Sequence, residues 1–186
     1  LVEEVGRIYG YDNLKSTQPL LAETHGGYSE KETAMRRIKD IVQGQGMMEA
    51  ISYSLTSPEK AISFTKDPKP VVEVQWPLNS SRSTMRENLL TGLVDAASYN
   101  MARKQKELAL FEQGRVYDHE NNTFNEHEHL AALYSGHTVS ANWQHLDQKI
   151  DFYFVKGQLT NLFRAIGIKD TDIEHRPEII VGMHPT

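Results

Sequence analysis

The sequence predicts an α+β fold built on a mostly antiparallel sheet. Three observations carry that expectation: strand-like stretches outnumber helical ones, their spacing is that of hairpins, and the helical stretches fall between groups of strands. A doubly wound parallel sheet would instead alternate strand and helix one for one.

Val2, Val5, Ile8 and Tyr9 recur at helical spacing and Gly10 stops the run, so residues 1–9 read as the last turns of a helix. Ser16 to Tyr28, with Pro19, Gly26 and Gly27, reads as an extended connection and a domain boundary. Ser29 followed by Glu32 is a capping box, the hydroxyl accepting from the third helical N–H while the carboxylate reaches back. Met35, Ile38, Ile41 and Val42 form one apolar stripe, and Gly44 and Gly46 end that helix. Met47 to Leu55 alternates, with Met47, Ile51, Tyr53 and Leu55 on one face, which predicts a strand.

Ser57-Pro58 opens a short helix, with Pro where its missing N–H costs nothing. Val71 to Trp76 is β-branched and aromatic, hence a strand. Leu89 to Arg103 is helical, with Leu90, Leu93, Val94 and Ala97 as its buried side. Leu108 to Tyr117 and Leu130 to Gly136 read as strands joined by a long polar tip, Asp118 to His129. Phe152 to Ile166 is a second long helix between an Asp151 N-cap and a Gly167 stop, and Ile173 to Val181 reads as a last strand.

Composition removes several function classes. The 186 residues contain no cysteine, which excludes a disulfide scaffold, Cys-ligated zinc and thiol catalysis, and suits a reducing, cytoplasmic setting. No apolar run is long enough to span a membrane. With 20 Lys and Arg against 25 Asp and Glu, the net charge of −5 argues against binding nucleic acid unaided. The chain begins at Leu1 inside a helical pattern and stops at Thr186 without a closing element, so it reads as an excerpt of a longer protein.

His119, His127 and His129 lie close together, and two His at i, i+2 on a strand share a side, which would suit zinc. The segment is Asn-rich and turn-like and has no third ligand at a fixed offset, so a solvated hairpin tip is the preferred reading. Glu3-Glu4 offers hard oxygen ligands of the kind magnesium takes, although on the residues alone a solvated helix face is preferred. Arg82 and Arg86 precede a helix and could hold a phosphate or carboxylate. The alternative, an arginine paired with Glu87 or Glu112, is preferred. There is no nucleophile triad and no Gly-rich phosphate loop.

Six stretches, in order and spacing, resemble the β-subunit family of bacterial phenylalanyl-tRNA synthetases. They are Leu1 to Asp12 (LVEEVGRIYGYD), Gly46 to Thr56 (GMMEAISYSLT), Pro77 to Leu93 (PLNSSRSTMRENLLTGL), Tyr99 to Arg103 (YNMAR), Leu110 to Tyr117 (LFEQGRVY) and Asp151 to Gly157 (DFYFVKG). The resemblance implies that residues 1–16 close a small DNA-binding-like domain and 17–28 form a linker. Residues 29–186 would be a truncated class II synthetase-like core, an antiparallel sheet flanked by helices. It implies a ligase that attaches phenylalanine to its tRNA using ATP, with catalysis in an α subunit and an (αβ)2 heterotetramer. It also implies that Glu3 and Glu4 belong to a carboxylate cluster holding Mg2+ shared with the α subunit, two further Asp ligands lying before Leu1.

Helix 29–43 with strand 47–55 resembles the first class II motif, a dimer-forming element, and its apolar stripe is expected to leave a partly apolar face uncovered. Gly114-Arg115-Val116-Tyr117 resembles the start of the second motif, but Asp118 follows where the catalytic subunit has Arg. Asp118 to His129 carries four acids and no Lys or Arg, which would repel ATP, so no catalytic residue is expected here. The rival readings are a free-standing metal-dependent enzyme using the three histidines and a nucleic-acid-binding module.

Overall fold

A computed structural model describes residues 1–20, 25–139, 143–144, 147–180 and 183. The core is organised around one central strand. The order is α1 (Val2–Tyr9), α2 (Glu30–Gly44), β1 (Met48–Glu49), β2 (Leu55–Thr56), α3 (Pro58–Ile62), β3 (Thr84–Met85), α4 (Leu90–Met101), β4 (Leu108–Glu120), β5 (Thr123–Ser135), β6 (His137–Val139), β7 (Gln148–Lys149) and α5 (Phe152–Ile166). The main sheet runs β1-β4-β5, with β4–β5 antiparallel over thirteen residue pairs from Leu108↔Ser135 to Glu120↔Thr123 and β1 parallel to β4. β2–β3 and β6–β7 form small antiparallel pairs.

Alternation along β4 sends apolar side chains to both faces. Phe111 meets Val42 and Met47, near α2, and Leu162 of α5. Leu108 and Leu110 meet Leu93 and Ala97 of α4 on the other side. A strand covered on both faces is hydrophobic in consecutive positions, which explains Leu108-Ala109-Leu110-Phe111. Helix ends follow their local chemistry. Ser29 Oγ accepts from Glu32 N at 3.2 Å while Glu32 Oε2 accepts from Ser29 N at 2.8 Å, completing the capping box. Asp151 Oδ1 caps α5 through Phe154 N at 2.8 Å, and Gly167 leaves that helix with φ 95°. The Arg37 guanidinium donates to Ala165 O at 2.7 Å, binding α2 to the end of α5.

Several sequence expectations need correction. The strand over Met47–Leu55 is two short pieces, and Ile51 and Tyr53 are exposed. Past Ala50, whose N–H donates to Phe111 O, the ladder is taken over by the Glu112 side chain, which accepts from Ser52 N at 3.3 Å. Val71–Trp76 contributes only a bridge, Glu73↔Thr84. The supposed tip Asp118–His129 belongs to the two long strands, and the turn is Asn121-Asn122 with φ 51° and 59°. Both residues sit in the left-handed region that a two-residue hairpin turn requires and that asparagine tolerates. Residues 173–180 form no strand, and Val181 lies outside the described residues. Leu93 and Ala97 of α4 are buried as expected, whereas Leu90 is half-buried and Val94 exposed. No large hydrophobic of α2 is exposed and its outward side is polar, so the uncovered apolar face expected there is absent. Exposed apolar residues instead run along α5, where Phe152, Val155 and Leu159 share one stripe.

Phe111→Ala is expected to cost about 3–5 kcal/mol, because a fully enclosed ring leaves a cavity. Tyr153→Ala, on the exposed side of α5, should stay within about 0.5 kcal/mol. Urea denaturation of both variants measures the contrast.

Candidate functional site

On the α4 side of the sheet, Arg86 and Glu112 form a buried ion pair. Arg86 is 7% exposed and Glu112 3%. Arg86 Nη1 donates to Glu112 Oε1 at 2.6 Å and to Ser52 Oγ at 2.9 Å, and its Nε donates to Arg115 O at 2.9 Å. Ser52 Oγ donates in turn to Glu112 Oε2 at 2.6 Å. Two glycines make room. A Cβ at Gly114 would stand 2.5 Å from Arg86 Nη2, and one at Gly92 would collide with Ser52 Oγ. Above this floor opens a cleft of 380 Å³ lined in part by Tyr53, Thr56, Ser57, Lys60, Arg82 and Asp95. The preferred sequence reading of Arg86, a partner of Glu112, therefore holds, whereas Arg82 stacks over Tyr53 at 3.4 Å.

Toward the hairpin turn the acids are neutralised by cations from elsewhere. Asp118 Oδ1 accepts from Asn125 Nδ2 at 2.8 Å, and Oδ2 lies 3.4 Å from Lys69 Nζ and 3.1 Å from His127 Nε2. The Asn125 hydrogen bond, followed by the Lys69 charge, holds the Asp118 carboxyl below its usual value. Lys69 also pairs with Glu120 at 2.7 Å, which raises its own pKa. Arg115 projects from the other face of β4 and pairs with Glu126 and Glu128, each at 3.0 Å. The four acids are thus matched by two cations, one of them from a segment far away in the sequence, which local charge counting missed.

The three histidines do not converge. His127 and His129 share a face with ring centroids 6.5 Å apart, while His119 lies on the opposite face, stacked on Phe124 at 4.6 Å. Burial, with a smaller contribution from His127, holds His129 below the ordinary imidazole value. Among the described residues no three His, Asp or Glu side chains are placed to hold a metal ion.

Glu3 and Glu4 lie in the first turn of α1, a helix with no buried residue. Glu4 Oε2 is held by Arg7 at 2.8 and 3.0 Å, both side chains being exposed. The donors are of the right kind for magnesium, but Arg7 competes for one of them and adjacent helical residues point about 100° apart. These residues do not by themselves make a magnesium site.

The model of the phenylalanyl tRNA synthetase beta chain CLM domain matches residues 14–186. The chain belongs to that family. Among curated relatives of this synthetase family, the phenylalanine–tRNA ligase beta subunit of Lactobacillus johnsonii is 94% identical and that of Lactobacillus acidophilus 78% identical, each over 186 residues. That of Streptococcus pyogenes serotype M1 is 37% identical over 190 residues. Each alignment covers all of this chain and 23% of the relative, so the chain spans about a quarter of their length. Solved structures show the class II synthetase-like fold. An ATP phosphoribosyltransferase regulatory subunit/histidyl-tRNA synthetase from Bacillus halodurans C matches with a TM-score of 0.58 and 14% identity, over 83% of this chain and 40% of that one. A histidine–tRNA ligase subunit from Alicyclobacillus acidocaldarius gives 0.52 and 12%, over 84% and 44%. The reading as a free-standing metal-dependent enzyme or nucleic-acid module is not favoured.

The buried ion pair gives this synthetase-family chain a testable energetic signature. Arg86→Met or Glu112→Gln alone is expected to destabilise by about 3–5 kcal/mol, since each strands a buried polar or charged partner. The double variant should lose clearly less than the sum, and denaturant titration of the complete cycle measures the difference.

Glu87 provides a second test. Burial, with the charge of Asp118 adding to it, holds its carboxyl above the 4.5 of a free glutamate, against the opposing pull of the Lys69 N–H and charge. Protonation is therefore easier in the folded chain than in the unfolded one. Its stabilising contribution falls as pH rises from the unfolded value through the higher folded one. Glu87→Gln is expected to gain stability relative to wild type over that interval, as read from melting temperatures at about pH 4 and 7.

Proposed function

We propose that this chain is the non-catalytic synthetase-like core of a phenylalanine–tRNA ligase β subunit. Its part is to scaffold a catalytic α subunit in an (αβ)2 assembly. The complete cytoplasmic enzyme joins phenylalanine to its tRNA at the expense of ATP, and tRNA is met through that whole enzyme. Residues 1–16 close a small DNA-binding-like domain, residues 17–28 link it, and the core runs from 29 onward.

The observation that carries this reading is the commitment of Arg86 and Arg115. Adenylate formation needs guanidinium groups free to meet ATP phosphates as charge develops on them. Arg86 is buried against Glu112, and Arg115 is turned to the opposite face between Glu126 and Glu128. The position after Tyr117 is an acid already held by Lys69 and Asn125. The complete β subunit, purified free of α, is expected to show no phenylalanine-dependent ATP–pyrophosphate exchange. Exchange that scales with β concentration would overturn the reading.

Glu3 and Glu4 would serve a Mg2+ shared with the α subunit only when further ligands arrive from outside this chain; the ion would supply charge that holds the subunits together. In the assembled enzyme, Glu3→Gln and Glu4→Gln are expected to shift subunit dissociation to higher Mg2+ concentration, with the rate per assembled enzyme unchanged. Arg7 already occupies Glu4, so the Glu3 variant should shift further. Superimposable dissociation curves for all three proteins would leave the pair as a solvated helix face.

A further inference from the structure

The cleft above the Arg86–Glu112 pair has more hydrogen-bond donors than its own acceptors can use. Ser52 Oγ is spent within the floor, donating to Glu112 and accepting from Arg86. Two wall residues are engaged as well. Asp95 Oδ2 receives Lys60 Nζ at 2.5 Å, and Asn88 Oδ1 caps Leu90 N at 2.9 Å. Arg82 and Thr56 keep donors to spare. The half-buried Arg82 guanidinium is stacked over the Tyr53 ring and has no carboxylate partner among the described residues. The Thr56 hydroxyl makes no hydrogen bond among the described residues, whereas the Ser57 hydroxyl accepts from Lys60 N and donates to the Glu59 carboxylate. Arg82 and Thr56 both line the cleft.

We propose that this cleft binds a small molecule through an oxyanion, carboxylate or phosphate, gripped by Arg82 and the Thr56 hydroxyl. Lys60 cancels Asp95 and Arg86 cancels Glu112, so Arg82 is the one unbalanced charge among the lining groups. A site with free donors and one surplus positive charge selects an acceptor-rich anion. Tyr53 holds the guanidinium plane in place before the ligand arrives, which lowers the ordering cost of binding. At 380 Å³ the cleft takes a small polar molecule around the oxyanion.

The test uses the complete β subunit in its natural assembly, titrated calorimetrically at low ionic strength with sodium phosphate and, separately, with sodium glycerate. At least one probe should bind once per β chain. Affinity should fall about tenfold or more in Arg82→Gln, as loss of a charged hydrogen bond implies. Arg82→Lys should fall in between, keeping the charge without the planar fork. Phosphate binding alone assigns the site to phosphate-bearing molecules, glycerate binding alone to carboxylates, and binding of both to oxyanions in general. Thr56→Val should weaken binding with every charge in place, which keeps the test decisive if Arg82→Gln fails to assemble. No binding of either probe by wild type, or undiminished binding in variants that assemble and melt like wild type, overturns the proposal.

Discussion

Arg86 is the residue on which the rest of the arrangement depends, because it joins three segments that otherwise touch only at their edges. Its N–H donates to Ser54 O at 3.0 Å and its carbonyl accepts from Tyr117 N at 2.9 Å, so its backbone alone bridges the 50–56 segment and β4. Its side chain repeats that bridge through Ser52, Glu112 and the Arg115 carbonyl. A buried ion pair is weak as a source of net stability, since desolvation offsets much of the attraction. Its value is geometric: the guanidinium fork fixes where each segment must lie. Gly92 and Gly114 are the space this network occupies, written into the sequence as missing side chains.

The two faces of β4 have consequently diverged. The face toward α2 and α5 is closed by Phe111, Val42, Met47 and Leu162, a packing problem solved with aliphatic and aromatic volume. The face toward α4 is apolar near Leu108 and Leu110 and becomes ionic at Glu112.

Much of this was legible from local rules. The capping box at Ser29 and Glu32, the Asp151 cap and the Gly167 stop are short-range chemistry, and each gives its helix end without reference to the rest of the chain. The pairing of Arg86 with Glu112 could be named as an option because both residue types were in sight, though its burial could not. What stayed hidden was long-range. Lys69 neutralising Asp118 and Glu120 depends on a contact across about fifty residues. The Ile51/Tyr53 alternation looked like a strand but lost its ladder to a glutamate side chain. Asn121-Asn122 was overlooked as a turn because the acids and histidines around it made the whole stretch read as a polar loop. The apolar surface expected on α2 lies on α5 because the α2 stripe is consumed by its own core.

The parallel pairing of β1 with β4 bears on synthesis as well as on structure. The hairpin of β4 and β5 closes through two residues, so its ladder forms between near neighbours at small entropic cost. Ser52 and Glu112, by contrast, are sixty residues apart, and α2 rests on Phe111 of the same late strand. A chain emerging from the ribosome in order therefore exposes α2, β1 and the 50–56 segment well before the strand they pack on exists. The first third of this chain cannot take up its final place until the middle of the chain has been made.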